Sequence, residues 1–506
     1  MSHWIIVPVV LPAVLAAILT LAMRHHAALQ RVFSVAGCVA LVAVALGLLT
    51  EAAGGDITVY ELGNWPAPFG IVLVLDRLSA LMVLLTAVLA LVVLLYAIGT
   101  GWDRRGYNFH ALWQFQLMGI CGAFLTGDAF NLFVFFEVLL IASYGLMIHA
   151  GGARRLKAGV QYVIYNLLGS TLFLFALGTI YAVTGTLNMA DLAVRAAEIP
   201  VEDSALLRVG AMLLFLVFAV KAALLPLHFW LPNTYAEAPA PVAALFAIMT
   251  KIGAYAILRF YTLIFGPDLD VTANLIDDVL LYGALATLAV GMIGILGAQR
   301  LGRLAAFASI GSMGTLLIAV AVFTPQSTAA ALYYTIHSTL AAALLFLVVD
   351  LVRARRGALG GALVPGPRMA QHGMLAALWF GAAIATAGLP PLSGFVGKLL
   401  VLNATRDMAD VWLIWGAVLA TSLVAVLGFA QAGSAVFWKL DEAEAPPASD
   451  LAPAPQPALP LVACFALLAG VGMLAVLAGP VMRYLEATAA QMHTPAAYIA
   501  AVLGQG

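Results

Sequence analysis

Three lysines sit where a chain this apolar should carry no charge. Lys221 in MLLFLVFAVKAALLPLHFWLP, Lys251 in AALFAIMTKIGAYAILRFY and Lys398 in GLPPLSGFVGKLLVLNA each fall inside a long hydrophobic run. A lysine near a bilayer centre costs at least ~2.5–3.5 kcal/mol, so it must line a protein or water cavity and find a partner. Glu137, in FNLFVFFEVLLIASYGL, is a carboxylate in the middle of another run, and His337, in YYTIHSTLAAALLFL, is a histidine well inside a third. A single buried histidine is ordinarily a hydrogen-bonded core residue, and a single buried ion pair often serves packing alone. Three amines, a carboxyl and an imidazole together form a set that can take up and release protons, which points to an ion path. Lysine suits that work, because arginine stays protonated.

The prolines near these lysines matter as much as the charges. Pro226 falls five residues after Lys221, with Pro232, Pro239 and Pro241 following, and Pro390 and Pro391 precede Lys398. A proline in a spanning helix interrupts the hydrogen-bond ladder and frees backbone carbonyls beside the charge. The alternative is that these prolines only kink packed helices. An apolar surrounding disfavours a charged ammonium and a neighbouring carboxylate favours it. At ~4 Å and an effective dielectric near 20, a Glu–Lys contact is worth on the order of 4 kcal/mol. Making or opening a Glu137–Lys221 contact would therefore switch Lys221 between holding and releasing its proton.

The elements that must position these groups are membrane-spanning helices. The chain has 506 residues, 64% hydrophobic and only 9% charged, with a mean hydropathy of +1.05, which defines a polytopic membrane protein. Cys38, Cys121 and Cys464 lie in apolar runs without metal or disulfide spacing, so neither is expected. The net charge of −1 says nothing of a polyanionic partner, but the lack of a basic arm, P-loop or dinucleotide fingerprint means that neither nucleic acid nor nucleotide is an expected partner. No cofactor is expected, since no haem, iron–sulfur or flavin ligation pattern occurs. Nor is there a carboxylate cluster for a sodium site.

Apolar runs long enough to span occur at about 4–23, 32–50, 75–98, 110–126, 129–149, 158–184, 205–225, 240–265, 279–298, 304–323, 329–352, 373–402, 411–438 and 458–482, fourteen in all. The first lacks a basic leader and is followed by Arg24, which predicts a retained helix. The connections 51–74, 186–204, 353–372 and 439–457 read as loops, the last of them mobile. With the N-terminus outside, fourteen of the 23 basic residues fall on inner connections. Six, Arg77, Arg195, Arg208, Arg259, Arg406 and Arg483, fall on outer ones. The bias places both termini outside and leaves Lys221, Lys251 and Lys398 on neither surface. Asp76, Asp128 and Asp350 lie near helix ends, and Asp128 reads as an N-cap. His228 sits beside the break after Pro226.

The two lysine-bearing breaks suggest an internal repeat. Residues 1–109 form an N-terminal three-helix segment, 110–265 a first five-helix unit and 279–438 a second. Residues 439–506 form a loop and a C-terminal helix. Five is odd, so the second unit is inverted, and paired broken helices in inverted repeats point to a midplane ion site at Lys221 and Lys398.

These residues also carry a family resemblance. LFVFFEVLLIASYGL at 132–146, KAALLPLHFWLPNTYAEAPAPVAALFAIMTKIGAYAILR at 221–259, SIGSMG at 309–314, TIHSTLAAALLF at 335–346 and GLPPLSGFVGKLLV at 388–401 resemble the antiporter-like proteins. This superfamily comprises the large proton-translocating membrane subunits of respiratory complex I, membrane-bound hydrogenases and the multisubunit Mrp (Mnh, Pha) cation/proton antiporters. The wording around HFWLPNTY and TKIGAYA is most similar to the D-type branch of the Mrp family. The resemblance implies an all-α polytopic fold with broken seventh and twelfth helices. It implies a relay in which Glu137 is the fifth-helix glutamate, Lys221 its seventh-helix partner, Lys251 the bridging lysine, His337 the following histidine and Lys398 the terminal base. Many relatives carry another lysine just after that histidine, where this chain has Leu340, Ala341, Ala342 and Ala343. The relay would lean there on His337, Ser338, Thr339 and water. The implied function is proton translocation in a Na⁺/H⁺ antiporter of a bacterial inner membrane, working with the other large and small Mrp subunits and no cofactor or metal. A redox-driven subunit of complex I or a hydrogenase is the alternative.

Overall fold

A computed structural model describes residues 2–267, 269–439 and 458–504. In chain order the helices are α1 (Val7–Leu21), α2 (Ala27–Ala52), α3 (Arg77–Thr100), α4 (Phe109–Leu125), α5 (Ala129–Met147), α6 (Ala153–Thr184), α7 (Met189–Glu198), α8 (Ala205–Ala222), α9 (Leu231–Glu237), α10 (Ala240–Leu263), α11 (Asp277–Gly297), α12 (Leu301–Val320), α13 (Pro325–Arg355), α14 (His372–Ala387), α15 (Ser393–Ala404), α16 (Val411–Gly433), α17 (Ala458–Val476), α18 (Ala478–Met492) and α19 (Pro495–Leu503). Among the described residues, eleven helices are long and apolar enough to cross a membrane, and α1, α4, α14 and α15 are shorter apolar helices. Each expected run falls on one of these helices, except the twelfth, which falls on the pair α14 and α15, and the fourteenth, which runs from α17 into α18.

Local sequence explains where the helices begin. The Asp76 side chain accepts from Ser79 N while Ser79 Oγ serves the Asp76 N–H, a reciprocal box that starts α3. Thr324 and Ser327 repeat that arrangement at α13. Asp128 accepts from Asn131 N and caps α5, as expected.

The layering places the helices of Lys251 and His337 inside. The most apolar stretch of α10, which carries Lys251, is 100% buried, and that of α13, which carries His337, is 83% buried. The corresponding share is 33% for α2, α6 and α16, so those helices form the rim. Gly253 brings α8 and α10 into backbone contact: a Cβ there would stand 2.5 Å from Ala222 N and 2.7 Å from Phe218 O. Lys221 and Lys251 are thus held on directly abutting helices.

Three connections differ from the sequence reading. Residues 51–74 contain β1 (Thr58–Glu61), paired antiparallel with β2 (Val72–Leu75). Residues 186–204 contain α7, which buries Met189, Leu192 and Ala196 on one side. The C-terminal helix expected to end at 482 instead stops at Val476, and the chain turns into α18 and α19. Both later helices are too short to read as spans; α18 is amphipathic, carrying Arg483 and Glu486, and α19 is a nine-residue apolar helix. The expected mobile loop, 439–457, lies outside the described residues except for Lys439.

Candidate functional site

The two breaks are real interruptions. α8 stops one residue after Lys221, with Ala223 left-handed at φ 56°, and turns lead to α9. α14 stops at Ala387, and α15 starts at Ser393, five residues before Lys398. Each break includes a cis X–Pro bond, at Leu225–Pro226 and at Pro390–Pro391.

Lys398 uses the backbone its break exposes. Its Nζ donates to Ala387 O at 2.7 Å and to Ser422 Oγ at 2.8 Å. Ala387 closes α14, so its carbonyl has no partner in the next turn and is free to accept. Gly388 makes this possible twice over, with φ +80° and no side chain where the Lys398 stem lies; a Cβ would stand 2.6 Å from Lys398 Cδ.

Lys221 solves the same problem differently. The carbonyl beside it, Val220 O, is taken by Trp230 Nε1 at 2.9 Å, and Lys221 Nζ donates to Asn166 Oδ1 of α6 at 2.8 Å. The ammonium also lies 5.7 Å from the Phe136 ring centre, within cation–π range. The expected direct contact with Glu137 is open: no ion pair joins them among the described residues. Glu137 is half-buried, shares the outward stripe of α5 with exposed Val134 and Ile141, and its Oε1 is shut from solvent with no hydrogen-bond partner among the described residues. A cavity beside Lys221 is lined by Phe136, Tyr162, Asn166, Trp230, Met249 and Ile252. Its ≈ 10 Å³ holds about one water. Met249 and Ile252 neighbour Lys251 on α10, so this cavity touches Lys221 itself and the helix that carries Lys251.

Lys251 is 1% exposed, and no hydrogen bond or ion pair to it occurs among the described residues. Its helix packs on α13 and α12. On α13, His337 Nδ1 lies 2.9 Å from Ser393 Oγ at the start of α15, which ties the histidine to the element carrying Lys398. A second cavity of ≈ 10 Å³ is lined by His337, Ser338, Ala341, Ala342, Ser309, Ser312 and Thr386. The small alanines that replace the expected lysine therefore leave space for about one water among hydroxyls. Thr339 points its Oγ1 to Thr335 O at 2.7 Å, within its own helix.

Several groups around this line escaped the sequence reading or were placed elsewhere by it. Asn166 and Ser422 are neutral and carried no signal. Arg259, expected on the outer surface, is 5% exposed and pairs with Asp76 at 2.6 Å. Its spacing gave the only hint, since Lys251, Tyr255 and Arg259 recur every fourth residue on α10. Asp350 accepts from Tyr96 Oη and Trp102 Nε1, both at 2.9 Å. At the same end, Asp103 sits between α3 and α4 and receives Arg31 Nε at 2.6 Å and His110 Nε2 at 3.3 Å. Burial by itself would raise the Asp103 carboxyl, but His110 and Arg31 hold it at about 2, so it stays charged at neutral pH. His228 is buried beside the first break with Nδ1 unpartnered among the described residues.

A bundle of apolar helices enclosing a line of buried lysines, two of them at broken helices, defines an ion-translocating membrane subunit. The chain belongs to the family described as NADH:quinone oxidoreductase/Mrp antiporter, transmembrane, whose pattern it matches over residues 126–424. It is 38% identical over 540 residues to a probable K⁺/H⁺ antiporter D subunit of Rhizobium meliloti, covering 99% of this chain and 98% of the relative. It is 37% identical over 511 residues to the Na⁺/H⁺ antiporter D subunit of Alkalihalophilus pseudofirmus, covering 99% and 100%. Among solved structures it is similar to a chain of the Mrp complex from Dietzia, with a TM-score of 0.87, 28% identity and full coverage of both chains. A chain of respiratory complex I from Thermus thermophilus superposes with a TM-score of 0.77 at 25% identity, covering 96% of this chain and 99% of that one.

Proposed function

We propose that this chain is the proton-translocating D-type subunit of a multisubunit monovalent cation/proton antiporter, exchanging internal Na⁺ for external protons across a bacterial inner membrane. In this reading both termini face outside and residues 110–265 and 279–438 are the two inverted units. One observation carries it: Lys221, Lys251 and Lys398 are all buried in the bundle, yet among the described residues none is in an ion pair. An ammonium held permanently charged there would need a counter-charge. Groups that part with their protons do not.

The relay runs from Lys221 by way of the adjoining cavity to Lys251, then past His337 and its hydroxyl-lined cavity to Ser393 and Lys398. Glu137 sets the charge state of Lys221 by moving toward or away from Asn166 and the ammonium. Its place in an outward stripe at mid-helix supports a multisubunit assembly, because a carboxyl there needs protein and not lipid against it. The similarity to complex I keeps a redox-driven complex as the second reading, and the subunits that co-purify with this chain separate the two.

The test is cation-dependent collapse of a proton gradient in everted vesicles from an antiporter-deficient bacterium carrying the complete set of subunits. Wild type is expected to exchange Na⁺ for protons, whereas Lys221→Ala and Glu137→Ala lose exchange with assembly intact. Full exchange in both assembled variants overturns the relay. Absence of cation-dependent exchange in wild type overturns the antiporter reading.

A further inference from the structure

One cavity lies apart from the lysine line. It encloses ≈ 120 Å³, and its walls include Arg300, Arg303, Arg353, Gly302, Asn233 and Glu237. Three guanidiniums against one carboxylate leave the cavity with a net excess of two positive charges. The Arg300–Glu237 contact is loose, at 3.9 Å with the Arg300 side chain 51% exposed, so most of the donor capacity of the three arginines is unspent. Arg303 is further engaged, 5.8 Å from the Phe307 ring centre. The cavity also touches the first turn of α12, where no acceptor takes the Gly302 N–H among the described residues and Arg300 supplies no side-chain cap. The twenty-residue α12 adds the positive end of its dipole there.

Phosphate oxygens match this donor set. Arginine presents paired N–H groups with the spacing of phosphate oxygens, and a helix start supplies further backbone donors. The cavity lies at the ends of long apolar helices, α12 and α13, which is the depth of lipid headgroups. We propose that it binds a phosphate-bearing anion, namely the phosphodiester headgroup of an anionic phospholipid. The lipid joins α9, the helix that follows the Lys221 break, to α12 and α13, the helix of His337. Arg155 braces the same place from α6 by donating to Glu237 O at 2.9 Å.

Native mass spectrometry of the assembled, delipidated complex tests this, titrating phosphatidylglycerol, phosphatidylcholine and inorganic phosphate separately. Wild type is expected to bind one more phosphatidylglycerol than the R303Q/R353Q variant, with affinity falling about tenfold for each guanidinium lost. Glu237→Gln removes the opposing charge and is expected to tighten binding about tenfold, a gain that misfolding does not produce. Arg368→Gln, a basic change elsewhere, leaves the count unaltered. If inorganic phosphate shows this variant dependence and phosphatidylglycerol does not, the lipid assignment is overturned and a soluble anion takes its place. Equal phosphatidylglycerol binding in wild type and R303Q/R353Q, or an equal loss with Arg368→Gln, overturns the site.

Discussion

At the scale of single residues, Asn166 does the work that a carboxylate was expected to do. A neutral amide oxygen accepts from Lys221 at 2.8 Å with no ion pair to Glu137, so it holds the amine in place without supplying a fixed counter-charge. Asn166→Leu removes that acceptor without adding charge. A charge-assisted hydrogen bond is worth about 1.5–3 kcal/mol, so exchange in everted vesicles is expected to fall by at least about tenfold with the complex still assembled. The Asp76–Arg259 pair behaves in the opposite way, because both partners are permanently charged and locked together. Arg259→Leu alone strands a buried carboxylate and is expected to destabilise by about 3–5 kcal/mol. The double variant with Asp76→Leu is expected to recover much of that loss, and thermal unfolding of the assembled complex reads both. The amino-acid order made the lysines visible and hid their partners for a physical reason. A charge in an apolar run stands out by its cost, while Asn166 and Ser422 cost little enough to pass as ordinary. Asp76 and Arg259 each sit near a helix end, 183 positions apart, so each passed singly for a surface group.

At the scale of elements, the two breaks share a plan and differ in detail. Both end a helix near a lysine, but only the second gives its freed carbonyl to that lysine. The first hands Val220 O to Trp230 and leaves Lys221 to a neighbouring helix. Proline spacing foretold the interruption. It did not foretell which donor would claim each carbonyl, because that depends on an indole ten residues along the chain. Most spans were equally plain in the apolar runs, though the twelfth is two shorter helices and the last stops at Val476, whereas α7 and the β1–β2 pair were not plain, being short elements whose one-sided burial requires the bundle to exist first. Gly253→Leu tests the α8–α10 contact. Its Cβ would meet backbone atoms that cannot swing aside, so the assembled complex is expected to lose several kcal/mol of stability or fail to form, measured by yield and thermal unfolding.

At the scale of the whole molecule, the C-terminal helices act as a strap. Tyr484 Oη donates to Arg77 O at 2.9 Å, Gln491 joins Arg77 N and Gly55 O, and His493 lies 2.9 Å from Thr328 Oγ1. Tyr498 reaches over Arg259, 5.4 Å from its guanidinium. One segment thus fastens the starts of α3 and α13 and the end of α10. Ending the chain at Leu477 is expected to lower the unfolding temperature of the assembled complex more than the Arg259→Leu change does, since it removes all of these contacts together.

The backbone contact at Gly253 also limits how such a machine can move. Two helices meshed that closely cannot roll about one another, since rotation would drive a carbonyl into the facing chain. They can only slip lengthwise along their common seam, or travel as a single piston. Where the pair travels as one piston, a displacement started at the first break would be carried to Lys251 as well.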